Sequence, residues 1–566
     1  MAKSARPPTS SPPSTRPRVD ARQLHVEREL IRICRSVLQI DSVDVDRSFT
    51  DNGGDSFSSL NYVAEILRAF GASVTADAVL ASQSIAALAE AIASRRTRES
   101  IDDAPRLLVA SLTEQVRPRQ ELVVGAVPVL ANRYSYFFKR QRDWEYWNVG
   151  TGLLTMREAL DVKAFFSAVG ALVAHHDGLR LQVTLQRGHW TQSIVEPTPM
   201  SACVSRTYRG STDGFRAFAC QELAALHESF TFPGALFKVM HLRHHNGVDL
   251  IAVLAHHLLV DAFSFALVLK DLFHLYRAFR LMRHDTLPPK TTSLKDFSEA
   301  STQYWLARSQ DELRYWRSLP WGRLAPLPTT EPLDGKANIE RHTRYVIRSI
   351  PLTQSDPLAV WLARIQGAPL LATLVCAIAR AFRSWTGQDV LHLATVFHGR
   401  EAFLDNVDLS RTVGWISETV PVLIDARQPI PAMLSEALEQ VTRTARRGRS
   451  YGVLKYLAPR DTRAAMSDHP EPAVSLNVVM RHASGSAYRD LAFKQQCHTM
   501  PPPNKSTTER AFILSGGAYI RDGCFHLSWD FSDRILSQVA VERFADFCVA
   551  ELSGCVRHAS STSTKG

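Results

Sequence analysis

Hydrophobic periodicity changes character once along this 566-residue chain, and that change calls for two separate cores. From Arg22 to about Ser94, apolar residues recur three and four positions apart. Val26, Leu30, Ile33 and Val37 form one stripe. Phe57, Leu60, Val63 and Leu67 form a second, in a helix starting at Ser56, and Ile85, Leu88 and Ile92 a third. Such stripes are the buried faces of amphipathic helices. From about Val123 strand-like and helix-like segments alternate instead, as in the strand Asp249–Leu254, the helix Ser264–Arg280 and the strand Phe525–Trp529. Mixed patterning over so long a stretch predicts two packed α/β lobes, with a boundary near residue 340. The expected organisation is a Pro/Ser/Arg-rich tail at 1–22 that cannot bury a core, a helical unit at 23–94, and a linker at 95–122. The two-lobed unit follows at 123–557, with a polar tail at 558–566.

Charge follows the same partition. The chain has 66 Lys and Arg against 56 Asp and Glu, for a net +10. Residues 1–22 carry +4 and residues 23–94 carry −5, which leaves +11 spread over the remainder without a basic run. An acidic unit tethered to a basic one points to mutual docking, not to nucleic acid. No apolar run reaches the roughly 18–20 residues that span a bilayer, and the N-terminus lacks the apolar stretch of a signal peptide. The eight cysteines are scattered without a CxxC pair, which fits reduced cytosol and argues against a metal site or a disulfide framework.

The segment Phe49-Thr-Asp-Asn-Gly53-Gly54-Asp55-Ser56-Phe57-Ser-Ser-Leu60 carries chemistry. Two glycines permit a tight turn, and Ser56 then stands at a helix N-terminus, where unpaired N–H groups favour a phosphate. A lone Gly-Asp-Ser reads as a simple N-cap. Here the motif opens an amphipathic helix inside an acidic helical stretch, and residues 23–94 resemble the acyl- and peptidyl-carrier family. That resemblance implies an all-α four-helix carrier bundle. It also implies 4′-phosphopantetheine on Ser56, transferred from coenzyme A by a separate phosphopantetheinyl transferase.

A second constellation is Ala255-His256-His257-Leu-Leu-Val-Asp261-Ala262-Phe-Ser264, between an apolar strand and a helix. Alternation along a strand lets one histidine pack while the other faces a cavity, and Asp261 sits at a turn where it fixes the loop. A neutral imidazole suits proton transfer near pH 7. The stretch resembles the His-His-x-x-x-Asp core of nonribosomal-peptide-synthetase condensation domains, in which the second histidine, here His257, is the functional one. The resemblance also assigns supporting roles to His256 and Asp261, and pairs Asp261 with Arg180 of His175-His176-Asp177-Gly-Leu179-Arg180.

Further resemblances run in order along residues 123–557. They are Trp385-Thr-Gly387, His398-Gly399-Arg400-Glu401, Arg411-Thr-Val-Gly414-Trp415, Gly448-Arg-Ser-Tyr451-Gly452, Ser475-Leu-Asn477 and Ser528-Trp529-Asp530. The series looks more like the epimerisation branch than like ordinary amide-forming domains. It implies a two-lobed, chloramphenicol-acetyltransferase-like fold, with Glu401, Tyr451 and Asn477 as candidate channel residues. Two positions depart from that branch. Val396-Phe397 replaces its Glu-Gly, and Ala262 replaces the glycine after the motif aspartate. Moving a carbon-bound proton from one face to the other takes two proton-handling groups, and Val396 is not one.

The expected reaction is therefore condensation, an amine attacking a carrier-bound thioester with His257 positioning or deprotonating it. Epimerisation of a carrier-bound aminoacyl or peptidyl thioester is the first alternative. A catalytically idle platform that recruits a tailoring enzyme is the second. No adenylation signature is visible, so the partners expected are an adenylation enzyme loading in trans and other carrier or synthetase modules.

Overall fold

The computed structural model describes residues 21–563 except 39, 55–58, 60–61, 64–65, 67–68, 71–73, 75, 96–115, 136–142, 157, 187–188, 199–202, 284–285, 331–336, 354–356, 365–366, 402, 405, 480–492 and 498–504. The chain divides into two compact units, residues 1–101 and 102–566.

In the small unit, α1 (Ala21–Leu38), α2 (Ala76–Ala81) and α3 (Ile85–Arg95) enclose a core of Val26, Leu30, Ile33, Ile85, Leu88 and Ile92, with Val37 half-buried against it. Of the predicted middle stripe, Val63 packs against this core, and Phe57, Leu60 and Leu67 lie outside the described residues; Ser59, Tyr62 and Ile66 are buried as well. Tyr62 goes inside because its hydroxyl donates to the Leu30 carbonyl (3.0 Å) while its ring stacks on Phe49 (4.6 Å between centroids). A buried phenol with a partner carries no unmet polar cost. The turn before the motif serine is tight. Gly53 has φ +95°, the Gly54 N–H donates to the Phe49 carbonyl (2.9 Å), and a Cβ at Gly54 would lie 2.2 Å from the Phe49 ring.

The large unit begins to pack before the expected boundary at 123. Val116 is buried with Ala300 and Leu404, and the Gln120 side chain exchanges two hydrogen bonds with the Lys290 backbone (2.9 Å each). Its N-terminal lobe is built on strands β2 (Asn148–Gly150), β3 (Leu153–Met156), β6 (Cys203–Tyr208), β7 (Phe237–His244) and β8 (Asp249–His256). A smaller sheet of β1 (Gly125–Val127), β5 (His189–Ile194) and β4 (Leu181–Gln186) lies beside it. Helices α4 (Val162–His175), α5 (Thr212–His227) and α6 (Ala262–Arg280) pack on the larger sheet, and α7 (Leu294–Ala307) and α8 (Ser309–Ser318) lead to the second lobe. Strand β8 is buried along nearly all its length, as its continuous apolar run requires.

The second lobe holds a six-stranded sheet in the order β11 (Glu418–Asp425), β10 (Val390–Phe397), β12 (Val474–Val479), β14 (Leu514–Arg521), β15 (Cys524–Ser532), β9 (Thr343–Pro351). Helices α9 (Gly367–Thr386), α10 (Ile430–Gly452) and α11 (Gln538–Ser563) cover one face. Leu391 and Leu393 of β10 point into that core, which turns His392, Ala394 and Val396 to the other face. Among the described residues α9 alone has the length and apolar content of a membrane span, and it lies in this core. Helix α11 continues to Ser563, past the boundary expected near residue 557. The lobes are interlocked, because β13 (Phe493–Cys497), from the C-terminal part of the chain, pairs antiparallel with β3 of the N-terminal lobe.

Candidate functional site

The site forms where β8 ends and α6 begins. His256 is the last residue of β8 and is fully buried. Its Nδ1 accepts from the Leu258 N–H (3.1 Å), and its ring meets the edges of Phe230 and Phe232. His257 steps off the strand and is half-buried. Its ring stacks on Trp147 (3.9 Å between centroids, 16°) and meets Trp415 edge-on (5.1 Å, 83°). The two histidines thus part as strand alternation predicts, one into the core and one into an aromatic slot. His257 Nδ1 is buried without a hydrogen-bond partner. Burial, with a smaller contribution from Arg133, pushes the imidazole down to about 4 against the pull of Asp261, so the ring is neutral near pH 7.

Asp261 is the N-cap of α6, accepting from the Ser264 N–H (2.8 Å). Its carboxylate also accepts from the N–H groups of Ile416 (3.0 Å) and Ser417 (3.2 Å) and pairs with Arg400 (3.3 Å). Burial alone would raise this carboxyl. Arg400 and the backbone donors outweigh it and hold it below the usual range. The expected partner was Arg180, and the structure corrects this. Residues Asp177–Arg180 form a 3₁₀ turn whose three-residue spacing brings Arg180 onto Asp177 (2.5 Å). The remaining Arg180 donors go to the carbonyls of Val123, Val173 and Val195. Arg180 therefore ties the start of the large unit together and leaves Asp261 to Arg400.

Arg400 is one of three buried guanidiniums here. It also donates to the Leu409 (2.6 Å) and Thr412 (3.0 Å) carbonyls and to Ser264 Oγ (2.9 Å). Arg449 of α10 pairs with Glu418 and donates to the Gly399 and Ile416 carbonyls. Arg133, fully buried, donates to the Trp415 carbonyl (2.6 Å) and to Asn132 Oδ1 (2.8 Å). Three guanidiniums thus meet three carboxylates in this region, Asp261, Glu418 and Glu401, the last lining the same cleft as Glu418 and Arg449. Neither Arg133 nor Arg449 was among the residues singled out from sequence. The buried arginine in the short Ala131–Arg133 helix carries no periodic signal.

The candidate channel residues separate. Asn477 is exposed on β12, on the face of the sheet that also presents Val396 of β10, itself 39% exposed. Glu401 lies 3.3 Å from His398 Nε2 and lines a cleft with Phe397, Glu418 and Arg449. Tyr451 is buried on α10 against Trp316 (5.0 Å), its hydroxyl accepting from Lys455 (3.2 Å), and is a packing residue, not a channel one. Ser56 lies outside the described residues. The Gly53–Gly54 turn that delivers it is described, and its close backbone approach to Phe49 is what a motif with two glycines needs.

The condensation-domain family model matches residues 132–565, and the phosphopantetheine attachment-site model matches residues 28–92. The chain is 28% identical to a component of the linear gramicidin synthase of Brevibacillus parabrevis over 546 residues, which is 92% of this chain and 10% of that protein. It is 28% identical to a component of the plipastatin synthase of Bacillus subtilis (strain 168) over 465 residues, 79% of this chain and 17% of that one. The chain thus spans a small fraction of the length of these relatives. Among solved structures, the epimerization domain from the third module of tyrocidine synthetase B superposes with a TM-score of 0.66 at 21% identity, covering 78% of this chain and 100% of that domain. The X-domain from teicoplanin biosynthesis superposes with a TM-score of 0.57 at 17% identity, covering 78% of this chain and 97% of that domain. The large unit belongs to the condensation-domain family, and the small unit before it is a phosphopantetheine carrier domain of the nonribosomal-peptide-synthetase type.

Proposed function

We propose that the large unit catalyses condensation, in which an amine attacks a carrier-bound thioester and forms an amide. The new N–C bond forms as the C–S bond breaks, and the proton leaving nitrogen ends on the released thiol. His257 accepts that proton or orients the amine, which its neutral state allows. Tethering of the reactants supplies orientation. In this reading Ser56 carries the arm, installed by a phosphopantetheinyl transferase and loaded by an adenylation enzyme in trans.

One observation carries the choice. At the position where the epimerisation branch has a carboxylate, β10 presents the exposed isopropyl group of Val396. Neither of the candidate channel residues Tyr451 and Glu401 takes its place, since Tyr451 is buried with Lys455 and Glu401 faces His398. Epimerisation needs a second proton-handling group on the other face of the α-carbon.

The test is to load Ser56 with aminoacyl thioesters and follow both outcomes. We expect amide product with a second loaded carrier or a free amine, lost in His257→Ala, and no His257-dependent α-deuterium uptake from deuterated water. Ser56→Ala prevents loading altogether. Rapid His257-dependent exchange in the unmodified protein restores epimerisation. Neither reaction over a broad substrate panel leaves recruitment of a tailoring enzyme.

A further inference from the structure

The four residues Ala131–Tyr134 reach the site from several directions at once. The Ala131 side chain packs against Gly452, where an added Cβ would lie 2.9 Å from it. Asn132 Nδ2 donates to the carbonyls of Trp415 (3.1 Å) and Ser417 (2.9 Å). Tyr134 stacks on Tyr456 (6.2 Å between centroids). Arg133 lies between these contacts and bridges two segments next to His257. Its Nη1 donates to the Trp415 carbonyl (2.6 Å), and its Nη2 lies 3.4 Å from the carbonyl of Leu258, the residue after His257. The guanidinium also lies 5.5 Å above the Trp415 indole, the same indole that meets the His257 ring edge-on.

The loop Gly414–Ser417 is therefore fixed from two directions. Asn132 and Arg133 hold its carbonyls, while Asp261 accepts from its N–H groups at Ile416 and Ser417. A planar fork suits this task, because one rigid group satisfies acceptors on two separate segments. We propose that Arg133 is a positioning residue for His257: it ties the Trp415 carbonyl to the Leu258 carbonyl and so fixes the indole that meets the imidazole edge-on. A second part follows from its buried positive charge, which opposes a proton on the ring.

The charges around that ring are consistent with the second part. Asp261 draws a proton toward His257, and Arg133 opposes it. Burial pushes the Arg133 guanidinium down to about 9, which leaves it charged near pH 7.

The inference rests on His257 being the acting group, and its primary test needs no turnover. The full chain carrying ¹³Cε1-labelled histidine is titrated by NMR, the His257 signal being identified by its loss in His257→Gln. In Arg133→Met the His257 midpoint is expected to rise by about half a pH unit or more, since a charge opposing protonation is gone. Its ring-current shift from Trp147 and Trp415 should also diminish. Arg133→Lys keeps the charge but not the fork, so the midpoint should stay low while the ring-current shift still changes. A folded Arg133→Met protein whose His257 midpoint and shift both match the parent overturns the proposal. Where Arg133→Met does not fold, Arg133→Lys decides, and a parental ring-current shift in that variant overturns the clamp. Amide formation is then followed in the same variants. Loss of rate with an unchanged His257 titration counts against Arg133 acting through the histidine. A changed titration without any measurable reaction in the parent leaves the clamp standing and removes the condensation reading.

Discussion

At the scale of single residues, the two members of the motif differ sharply in what they hold. Asp261 caps α6, receives two further backbone N–H groups and is paired with Arg400, all in a buried setting. Asp261→Ala leaves a guanidinium buried without its counter-charge and should cost about 3–5 kcal/mol in urea unfolding. His257→Ala removes a stacked ring whose Nδ1 has no partner, so its cost should be about 1 kcal/mol. The opposite ranking would make His257 a structural residue. The pH dependence follows from the same burial. His175, His227, His257, His392 and His469 are each pushed down to about 4, in every case chiefly by burial. A histidine whose folded value lies below its unfolded value of about 6.5 contributes full stability above that pH and loses it as pH falls toward 4. Asp261 and Asp271, held low in the fold, keep their contribution until the pH drops below about 4. The melting temperature should therefore fall between pH 6.5 and 4, ahead of carboxylate titration. A flat profile over that range would contradict the burial of these rings.

At the scale of elements, the link between the lobes runs through the loop His398–Glu401 at the end of β10. Gly399 has φ +69°, and a Cβ there would lie 2.3 Å from the Ile416 carbonyl and 2.7 Å from Arg449 Nη2. Gly399→Ala combines a left-handed backbone with a collision against the group that receives Arg449. It should cost about 2–4 kcal/mol in urea unfolding and weaken activity in parallel. A loss within about 0.5 kcal/mol would show that the loop can yield. Much of this architecture was legible in the sequence because periodicity reports local burial. The β8 strand, the α6 helix and the stripes of α1 and α3 fall where the apolar spacing puts them. The pairing of Asp261 was not legible, because Arg180 and Arg400 both sit beside motifs and only the 3₁₀ turn at Asp177 removes the first. The burial of Tyr62 escaped because a tyrosine counts as buried only once its hydroxyl has an acceptor, here on α1. Arg133 escaped for a simpler reason, since a lone arginine in a short turn has no pattern to read.

At the scale of the whole molecule, the two units have separate cores, and the helical stretch 23–94 is acidic where the residues after it are basic; each property has a measurable consequence. Among the described residues the core of α1 to α3 shares none with the cores of the large unit, so unfolding should proceed in two transitions, not one. Calorimetry of the full chain should resolve them, and a fragment covering residues 21–95 should reproduce the smaller alone. The charge partition then predicts how a carrier is used. Residues 23–94 carry −5 and the residues after them +11, so a separated carrier offered in trans should be drawn to the large unit by long-range attraction. Between low salt and about 0.5 M the Debye length shrinks from tens of Å to a few, and only close contacts survive. In the proposed reaction, the KM for an excised, loaded carrier should therefore rise several-fold over that range while kcat stays nearly constant, because His257 sits between Trp147 and Trp415 and not on the open surface. In the intact chain the tether holds the carrier's effective concentration high, so the same salt increase should have little effect. An excised carrier, residues 23–94, whose KM is indifferent to salt would place recognition in apolar contacts and leave its negative charge without a role in docking.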